Sequence, residues 1–198
     1  MRHVEQTARE LAQLYLYEEI ITPVVESYEL LAAKAGEEIR HRMYTFKDLG
    51  GRMVALRPEF TPSIARLVAT KLKTQPKPMR LFCAGSLYRY DEPQYGRYRE
   101  FWQSNYELIG SSRPEADAEI LTLTNDFIQR LGLRNYWFKM GHMGILRGVF
   151  RQEGVSEEQQ NAIMQLLDKK QWEPALQVIQ ETGVSAQCVE TLREVFEI

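Results

Sequence analysis

Apolar and aromatic residues are concentrated in two runs near the middle of the chain. These runs, residues 81–88 and 101–109, are separated by a polar segment that contains Pro93 and Gly96. Apolar and aromatic side chains favour strands, whereas a polar segment with proline and glycine favours a loop. The pattern therefore predicts two antiparallel strands joined by a long loop.

Helical and strand patterns also precede and follow this hairpin. Before it, the spacing predicts a helix over residues 1–16, a strand over 19–26, a helix over 28–35 and a second hairpin over 43–56. After it, we expect a helix over 114–131, a strand over 135–140, and four helices over 145–152, 157–169, 172–182 and 187–197. Pro23 favours an edge or interface position for the first strand, because proline donates no backbone hydrogen bond. We expect Ser112 to cap the helix that follows it, and the acidic residues in the first turns of that helix to be structural.

This order of elements predicts the fold class and two domains. Helices and strands around a central hairpin indicate an α+β fold, with a mixed, mainly antiparallel sheet flanked by helices. From Gly141 onward the pattern is purely helical. We therefore expect a sheet-containing domain over residues 1–140 and a small helical subdomain over residues 141–198.

Composition and charge narrow the classes of protein. The 198 residues are 44% hydrophobic and carry a formal net charge of −2, so any RNA contact has to come from local patches. Cys83 and Cys188 lie far apart in the sequence, which argues against a zinc knuckle and a disulfide framework and favours a reducing cytoplasm. No apolar run approaches the roughly 20 residues of a membrane span. No metal site held by protein ligands is expected.

One face of the predicted central hairpin carries polar groups that a purely structural hairpin does not need. Residues two apart in a strand share a face, so Phe101, Gln103 and Glu107 point the same way, and the partner strand can bring Arg89 beside them. A structural hairpin more often turns its apolar residues to the core and such groups to water. The face therefore indicates a binding site.

The loop of the hairpin adds two cations, Arg97 and Arg99. Guanidinium groups present forked donors that match phosphate and carboxylate oxygens. Together with Arg89, these arginines suit a polyphosphate and a carboxylated substrate at the same time.

The segment over residues 56–62, LRPEFTP, is a second candidate for ligand binding. A residue before proline is pushed to an extended conformation, so Glu59 and Thr61 can project from one side of the segment. Thr61 also has a structural explanation as a helix N-cap, because proline and an apolar-periodic run follow it. Glu59 has no comparable explanation, and we expect it to bind a cation or an ammonium group.

Several of these segments together resemble a known family. RYDE, GRYREFWQ and ELIG resemble motif 2 of the class II aminoacyl-tRNA synthetases, in the form found in the histidyl-tRNA synthetase family. The resemblance extends to MYTFKD, LRPEFT and EADAEI, and it covers residues 8–137 well. The matching segments lie at residues 89–92, 96–103, 107–110, 43–48, 56–61 and 115–120.

The resemblance implies an enzyme that activates an amino acid. It implies a class II core that forms an adenylate from ATP and L-histidine, with Mg²⁺, and transfers histidine to tRNA(His). Residues 1–26 are similar to motif 1 of the family, which implies a homodimer. No segment similar to the glycine-rich motif 3 or to the later histidine-specific segment follows, so we expect the chain to be the N-terminal part of a longer synthetase.

The resemblance also implies roles for individual residues. Arg89 would be the catalytic residue, holding the α-phosphate and the histidine carboxylate. The implied histidine-binding residues are Glu59, Phe60, Thr61, Arg89, Gln103 and Glu107. The implied ATP-binding residues are Arg89, Asp91, Arg97, Arg99 and Phe101, with Phe101 stacked on adenine and Arg97 near the outer phosphates. Asp91 stands where the family commonly has glutamate, so Glu92 could take that role instead.

Two other interpretations stay open. Residues 60–66 and 141–144 are similar to the regulatory subunit of ATP phosphoribosyltransferase, a non-catalytic paralogue that senses histidine. Retention of the motif 2 arginines and of Phe101 favours the enzyme. A binding module that only dimerises would leave the polar face unexplained. His142 lies at the start of a predicted helix without a partner ligand, so we expect it to cap or pack rather than to act in catalysis.

Overall fold

The computed structural model describes residues 1–92 and 94–197 and divides the chain into two units, Met1–Tyr136 and Trp137–Ile198. The strands are β1 (Glu18–Glu19), β2 (Val25–Ser27), β3 (Thr45–Lys47), β4 (Met53–Leu56), β5 (Met79–Tyr88) and β6 (Glu100–Ile109). The helices of the first unit are α1 (Arg2–Leu14), α2 (Tyr28–Ala32), α3 (Glu37–His41), α4 (Thr61–Thr70) and α5 (Pro114–Arg130). Those of the second are α6 (Met143–Gln152), α7 (Glu157–Asp168), α8 (Trp172–Glu181) and α9 (Ala186–Glu197).

The strands form two sheets of three strands each. In the first sheet β5 lies in the middle, parallel to β1 and antiparallel to β6. In the second sheet β4 lies between β2 and β3, and both pairs are antiparallel. The predicted α+β class with a mixed, mainly antiparallel sheet is confirmed, and so are the hairpins predicted over residues 43–56 and 81–109.

The central hairpin is covered by helices on both faces, because its side chains alternate between two apolar clusters. Phe82 and Tyr106 point toward a cluster with residues of α1 and α5. Residues of β5 that point to the opposite face pack with Phe60 and Ile64 at the start of α4; these residues are Leu81, Cys83 and Leu87. Strand β5 is therefore buried in the core, whereas β6 carries polar residues on the face that it shares with Leu81, Cys83 and Leu87.

An ion pair fastens β5 to α5. Arg80 donates from Nε and Nη2 to the two carboxylate oxygens of Glu119, both at 2.7 Å, and the Tyr17 hydroxyl donates to Oε1 at 3.1 Å. The hydrogen bonds from Arg80 lower the pKa of the Glu119 carboxyl. The expectation that the acidic residues of this helix are structural is therefore met at Glu119.

The predicted strand over residues 19–26 is wrong as a single element. It is divided between β1 and β2, which belong to different sheets, and Pro23 lies between them. In this interval the carbonyls of Thr22 and Pro23 accept hydrogen bonds from the Arg57 side chain, at 2.7 and 3.3 Å. The Arg57 side chain thus supplies the hydrogen bonds that a neighbouring strand would otherwise give to these carbonyls.

Three further expectations differ from the structure. The predicted strand over residues 135–140 belongs to neither of the described sheets, and Trp137 is 80% exposed. The aromatic residues of this segment have a high strand propensity, but that propensity mainly expresses packing against neighbouring strands. Ser112 does not cap α5, whose N-cap residue is Arg113 with no side-chain cap bond. Helix α2 is shorter than expected, and α3 was not expected.

The second unit is helical, and its four helices lie where the sequence predicts them. Phe150, Ile163, Ile179 and Leu192 are buried together in its core. His142 occupies the N-cap position of α6 without a side-chain cap bond. A Cβ atom at Gly144 would lie 2.6 Å from the His142 ring, so the ring packs against this glycine. The interpretation of this unit as an insertion subdomain stays a prediction.

Candidate functional site

A row of hydrogen-bonded polar side chains runs along one face of β6. Gln103 Nε2 donates to Asn105 Oδ1 at 3.3 Å, and Asn105 Nδ2 donates to Glu107 Oε1 at 3.1 Å. The Thr61 hydroxyl donates to the same Glu107 oxygen at 2.6 Å. We call these four residues the polar row. Because residues two apart share a face of a strand, the alternation of β6 creates the row, and α4 adds its last member.

The structure rejects one of the two predicted roles of Thr61. The structure places Phe60 at the N-cap position of α4, and no side chain caps the helix. Thr61 is the first helical residue, and its hydroxyl is used by Glu107 instead. The N-cap interpretation is therefore wrong, and the structure brings two predicted site residues from distant segments into contact.

Arg89 lies between the segment over residues 56–62 and β6. Its Nε donates to the Pro58 carbonyl at 3.0 Å, and its guanidinium carbon lies 5.1 Å from the centre of the Phe101 ring. These contacts fix the plane of the guanidinium group. No other described residue forms a hydrogen bond or an ion pair with Nη1 or Nη2. Arg89 is thus held by its Nε edge, and its terminal nitrogens are free among the described residues.

The other two predicted residues of the segment over 56–62 have different environments. Glu59 is half-buried, and within the described part of the chain its carboxylate has no hydrogen-bond or ionic partner. Burial without a partner is costly for a carboxylate, which makes Glu59 a candidate for a cationic ligand. The Phe60 side chain is 1% exposed and packs in the core beneath the site. Any direct contact of Phe60 with a ligand therefore falls to its backbone.

The loop of the central hairpin contains the remaining predicted residues. Arg99 lies over the Tyr90 ring at 4.2 Å and donates from Nε to the Asp91 carbonyl at 3.2 Å. The Asp91 carboxylate forms an ion pair with Arg42 at 3.0 Å. Arg97 is exposed. The structure thus places Asp91 in an ion pair that the sequence did not predict and leaves Arg97 accessible.

Arg57 supports the site from below, and sequence reasoning did not identify it. Its side chain is buried and donates to the carbonyls of Thr22, Pro23 and Ser86. Burial lowers the pKa of this guanidinium. A Cβ at Gly85 would lie only 3.0 Å from Arg57 Nη2, so the close approach favours glycine. The only sequence feature that could have drawn attention to Arg57 is its place in the segment Arg57-Pro58-Glu59, next to a predicted site residue.

A cavity of about 670 Å³ opens beside the polar row, between α4 and the end of β6. Thr61 and Glu107 form its polar wall, and Lys73 and Lys77 add positive charge. Its apolar wall consists of Ile64, Ala65, Val68, Ala69 and Ile109. The volume is within the range of small-molecule sites.

No group of three or more histidine, cysteine, aspartate or glutamate side chains among the described residues could hold a metal ion. None of the helices described is both long enough and apolar enough to cross a membrane.

Comparison with known proteins gives the family. A family model described as histidyl-tRNA synthetase matches residues 1–198. A histidine–tRNA ligase of Sulfolobus acidocaldarius is 46% identical over 177 residues, which are 89% of this chain and 41% of that protein. One of Methanocaldococcus jannaschii is 47% identical over 172 residues, 87% of this chain and 41% of that protein. The chain spans about two fifths of the length of these curated relatives.

Solved structures agree with this result. A Bacillus halodurans protein, titled ATP phosphoribosyltransferase regulatory subunit/histidyl-tRNA synthetase, aligns with a TM-score of 0.84 and 26% identity, over 96% of this chain and 49% of that one. The apo histidyl-tRNA synthetase of S. aureus aligns with a TM-score of 0.57 and 37% identity, over 67% and 31%. From the residues of motif 2, the fold and these matches, we conclude that the chain belongs to the histidyl-tRNA synthetase family.

Proposed function

We propose that this chain forms the first part of the catalytic core of a histidine–tRNA ligase, which activates L-histidine with ATP and transfers it to tRNA(His). The observation that carries the proposal is the position of Arg89. Its terminal guanidinium nitrogens are free among the described residues, next to the Phe101 ring and on the same hairpin as the polar row. A fixed cation beside a row of acceptors suits an amino acid and a nucleotide together.

The chemistry requires cationic donors more than a nucleophilic side chain. The histidine carboxylate oxygen attacks the α-phosphorus of ATP, a new O–P bond forms, and pyrophosphate leaves with the electrons of the broken O–P bond. Two anions approach each other in this step, so donors that hold both lower the barrier. Arg89 has two terminal nitrogens for this purpose. The face of the Phe101 ring opposite Arg89 is proposed to stack on adenine.

The polar row and Glu59 are proposed to bind histidine. The unpartnered Glu59 carboxylate is suited to the α-ammonium group, with the Thr61 hydroxyl as a second acceptor. Gln103 and Glu107 are proposed to accept hydrogen bonds from the rest of the amino acid, with Glu107 assigned to the imidazole. An apolar amino acid in this place would leave the Oε2 atom of the half-buried Glu107 carboxylate without a donor, which gives discrimination against it.

The loop of the hairpin is proposed to bind the outer part of ATP. Arg97 and Arg99 are suited to the phosphates. Because Asp91 is paired with Arg42, we favour Glu92, which is exposed, for the contact with the adenine amino group. Mg²⁺ stays a prediction, and it would enter with the phosphates of ATP.

We also propose a homodimer formed through the region of motif 1. Apolar side chains are exposed on and near the sheet of β2, β3 and β4, among them Ile21 at 94% and Phe46 at 44%. Exposed apolar groups clustered in this way favour a protein interface. Within the proposed dimer, the second unit would be the insertion subdomain of the synthetase. A cytoplasmic location stays a prediction from the cysteines.

A second candidate function is histidine sensing in a regulatory subunit of ATP phosphoribosyltransferase. The structural alignment with the Bacillus halodurans protein, which is described by both names, favours it. Histidine-dependent exchange of pyrophosphate into ATP, measured on the whole protein that contains this sequence, separates the two candidates. Exchange supports the ligase, whereas histidine binding without exchange supports the regulator.

A further inference from the structure

Asn105 is the central member of the polar row, and neither motif 2 nor the family resemblance assigns it a role. Its amide is used at both ends: Oδ1 accepts from Gln103 and Nδ2 donates to Glu107. On the neighbouring strand it faces Cys83. Burial raises the pKa of that thiol to about 12, so the neighbour of Asn105 on β5 is a neutral group near pH 7.

The two hydrogen bonds of Asn105 determine which atoms of its neighbours stay free. Glu107 Oε1 accepts from both Asn105 and Thr61, and no other described residue donates to Oε2. Gln103 donates its Nε2 to Asn105, so its Oε1 remains as a free acceptor. Since an amide can rotate to exchange its oxygen and nitrogen, the bond to Asn105 decides which of them Gln103 keeps free. The result is two free acceptor oxygens on one face of β6.

We propose that Asn105 is a positioning residue that holds these two acceptors ready for the N–H groups of histidine. The inference rests on the proposed function, in which Gln103 and Glu107 bind the amino acid. Histidine has N–H donors on its ammonium group and on its imidazole ring. Without Asn105, Glu107 keeps only the hydrogen bond from Thr61. Gln103 is then free to rotate its amide, which would place its own N–H group, instead of its oxygen, opposite an N–H group of histidine.

Two substitutions separate hydrogen bonding from packing. Asn105→Ala removes the amide, and Asn105→Leu replaces it by an apolar group of similar size. Ser104→Ala, one residue away on the opposite face of β6, is the matched control. In histidine-dependent pyrophosphate exchange by the whole protein, we expect both Asn105 variants to raise the KM for histidine about tenfold, the size of one lost hydrogen bond to a charged group. The KM for ATP and the control should change less than about twofold.

The outcomes decide the proposal in either direction. A histidine-specific effect of similar size in both variants supports positioning. Recovery in Asn105→Leu would show that Asn105 only fills space, and equal changes in the KM for histidine and for ATP would show a general disturbance. Either result overturns the proposal.

A structural comparison keeps this inference separate from the proposed function. Crystal structures of the wild-type chain and of Asn105→Ala should show the Glu107 carboxylate and the Gln103 amide moved from their places. If the wild-type protein lacks exchange activity but these groups move, the proposed function fails and positioning by Asn105 stands. Unchanged positions of Gln103 and Glu107 in the variant overturn the positioning role whatever the activity.

Discussion

Replacement of Arg89 is the sharpest test of the proposed chemistry. The guanidinium is anchored by one hydrogen bond to the Pro58 carbonyl and by the Phe101 ring, and its terminal nitrogens are free within the described chain. If these nitrogens hold the α-phosphate and the carboxylate as they react, Arg89→Ala should weaken the transition state more than the bound ground state.

The expected size follows from the number of donors that are lost. Removing one preorganised donor to a developing negative charge costs about 100-fold to 1,000-fold in rate, or roughly 2.7–4 kcal/mol. Arg89→Ala removes two donors, so pyrophosphate exchange should fall by at least about 100-fold, with a smaller change in KM. Loss of the bond to Pro58 and of the contact with Phe101 should lower the free energy of unfolding by about 1–3 kcal/mol, which urea unfolding measures separately.

Arg89→Lys distinguishes charge from geometry. Lysine keeps the positive charge but has no Nε–H for the Pro58 carbonyl and no planar fork for two oxygens. We therefore expect only partial recovery of the exchange rate. Arg113, an exposed arginine at the start of α5, supplies the control Arg113→Ala, which should leave the rate unchanged. Near-normal exchange in Arg89→Ala would refute the role of this residue in the chemical step.

Three other predictions follow from particular contacts. Glu107→Ala should lower histidine affinity about tenfold or more and leave ATP affinity nearly unchanged in calorimetric titration, because only histidine is assigned to this carboxylate; equal losses would contradict the assignment. Sedimentation at micromolar concentration should show a dimer, and a strictly monomeric protein would contradict the proposed interface. Arg80 lowers the pKa of the Glu119 carboxyl, so its stabilisation is present above the ordinary glutamate pKa and is lost as the pH falls through the lowered value. Urea unfolding from about pH 7 to about pH 3 should therefore show a steeper loss of stability in the wild type than in Glu119→Gln, and parallel curves would argue against this pair.

The sequence predicted the central hairpin and the face of β6 because both depend on local alternation. Strands β5 and β6 lie where the apolar runs predicted them, and Gln103 and Glu107 share a face as expected. The four helices of the second unit could be predicted equally well, since their apolar periodicity is local. In each case the sequence pattern lies within the helix or strand that it predicts.

The contacts that complete the site could not be predicted in this way, because they join distant segments. Thr61 looked like a helix cap from its neighbours alone, and only the packing of α4 beside β6 reveals its bond to Glu107. The pairing of Asp91 with Arg42 and the buried contacts of Arg57 likewise depend on the fold. The role proposed for Asn105 could not be predicted from the sequence, because a single amide inside a strand has no distinctive pattern.

The boundary between the core and the site lies between the two strands of the central hairpin. On the face that packs against α4, apolar or small residues of β5 pair with polar residues of β6: Leu81 with Glu107, Cys83 with Asn105 and Gly85 with Gln103. The three members of the polar row on β6, Gln103, Asn105 and Glu107, thus each have an apolar or uncharged neighbour on β5. A hydrogen bond is stronger where the surroundings are less polarisable, and an unmet one is more costly there. If the polar row binds histidine as proposed, substitutions at Asn105 or Glu107 should therefore affect the recognition of histidine more than the stability of the fold.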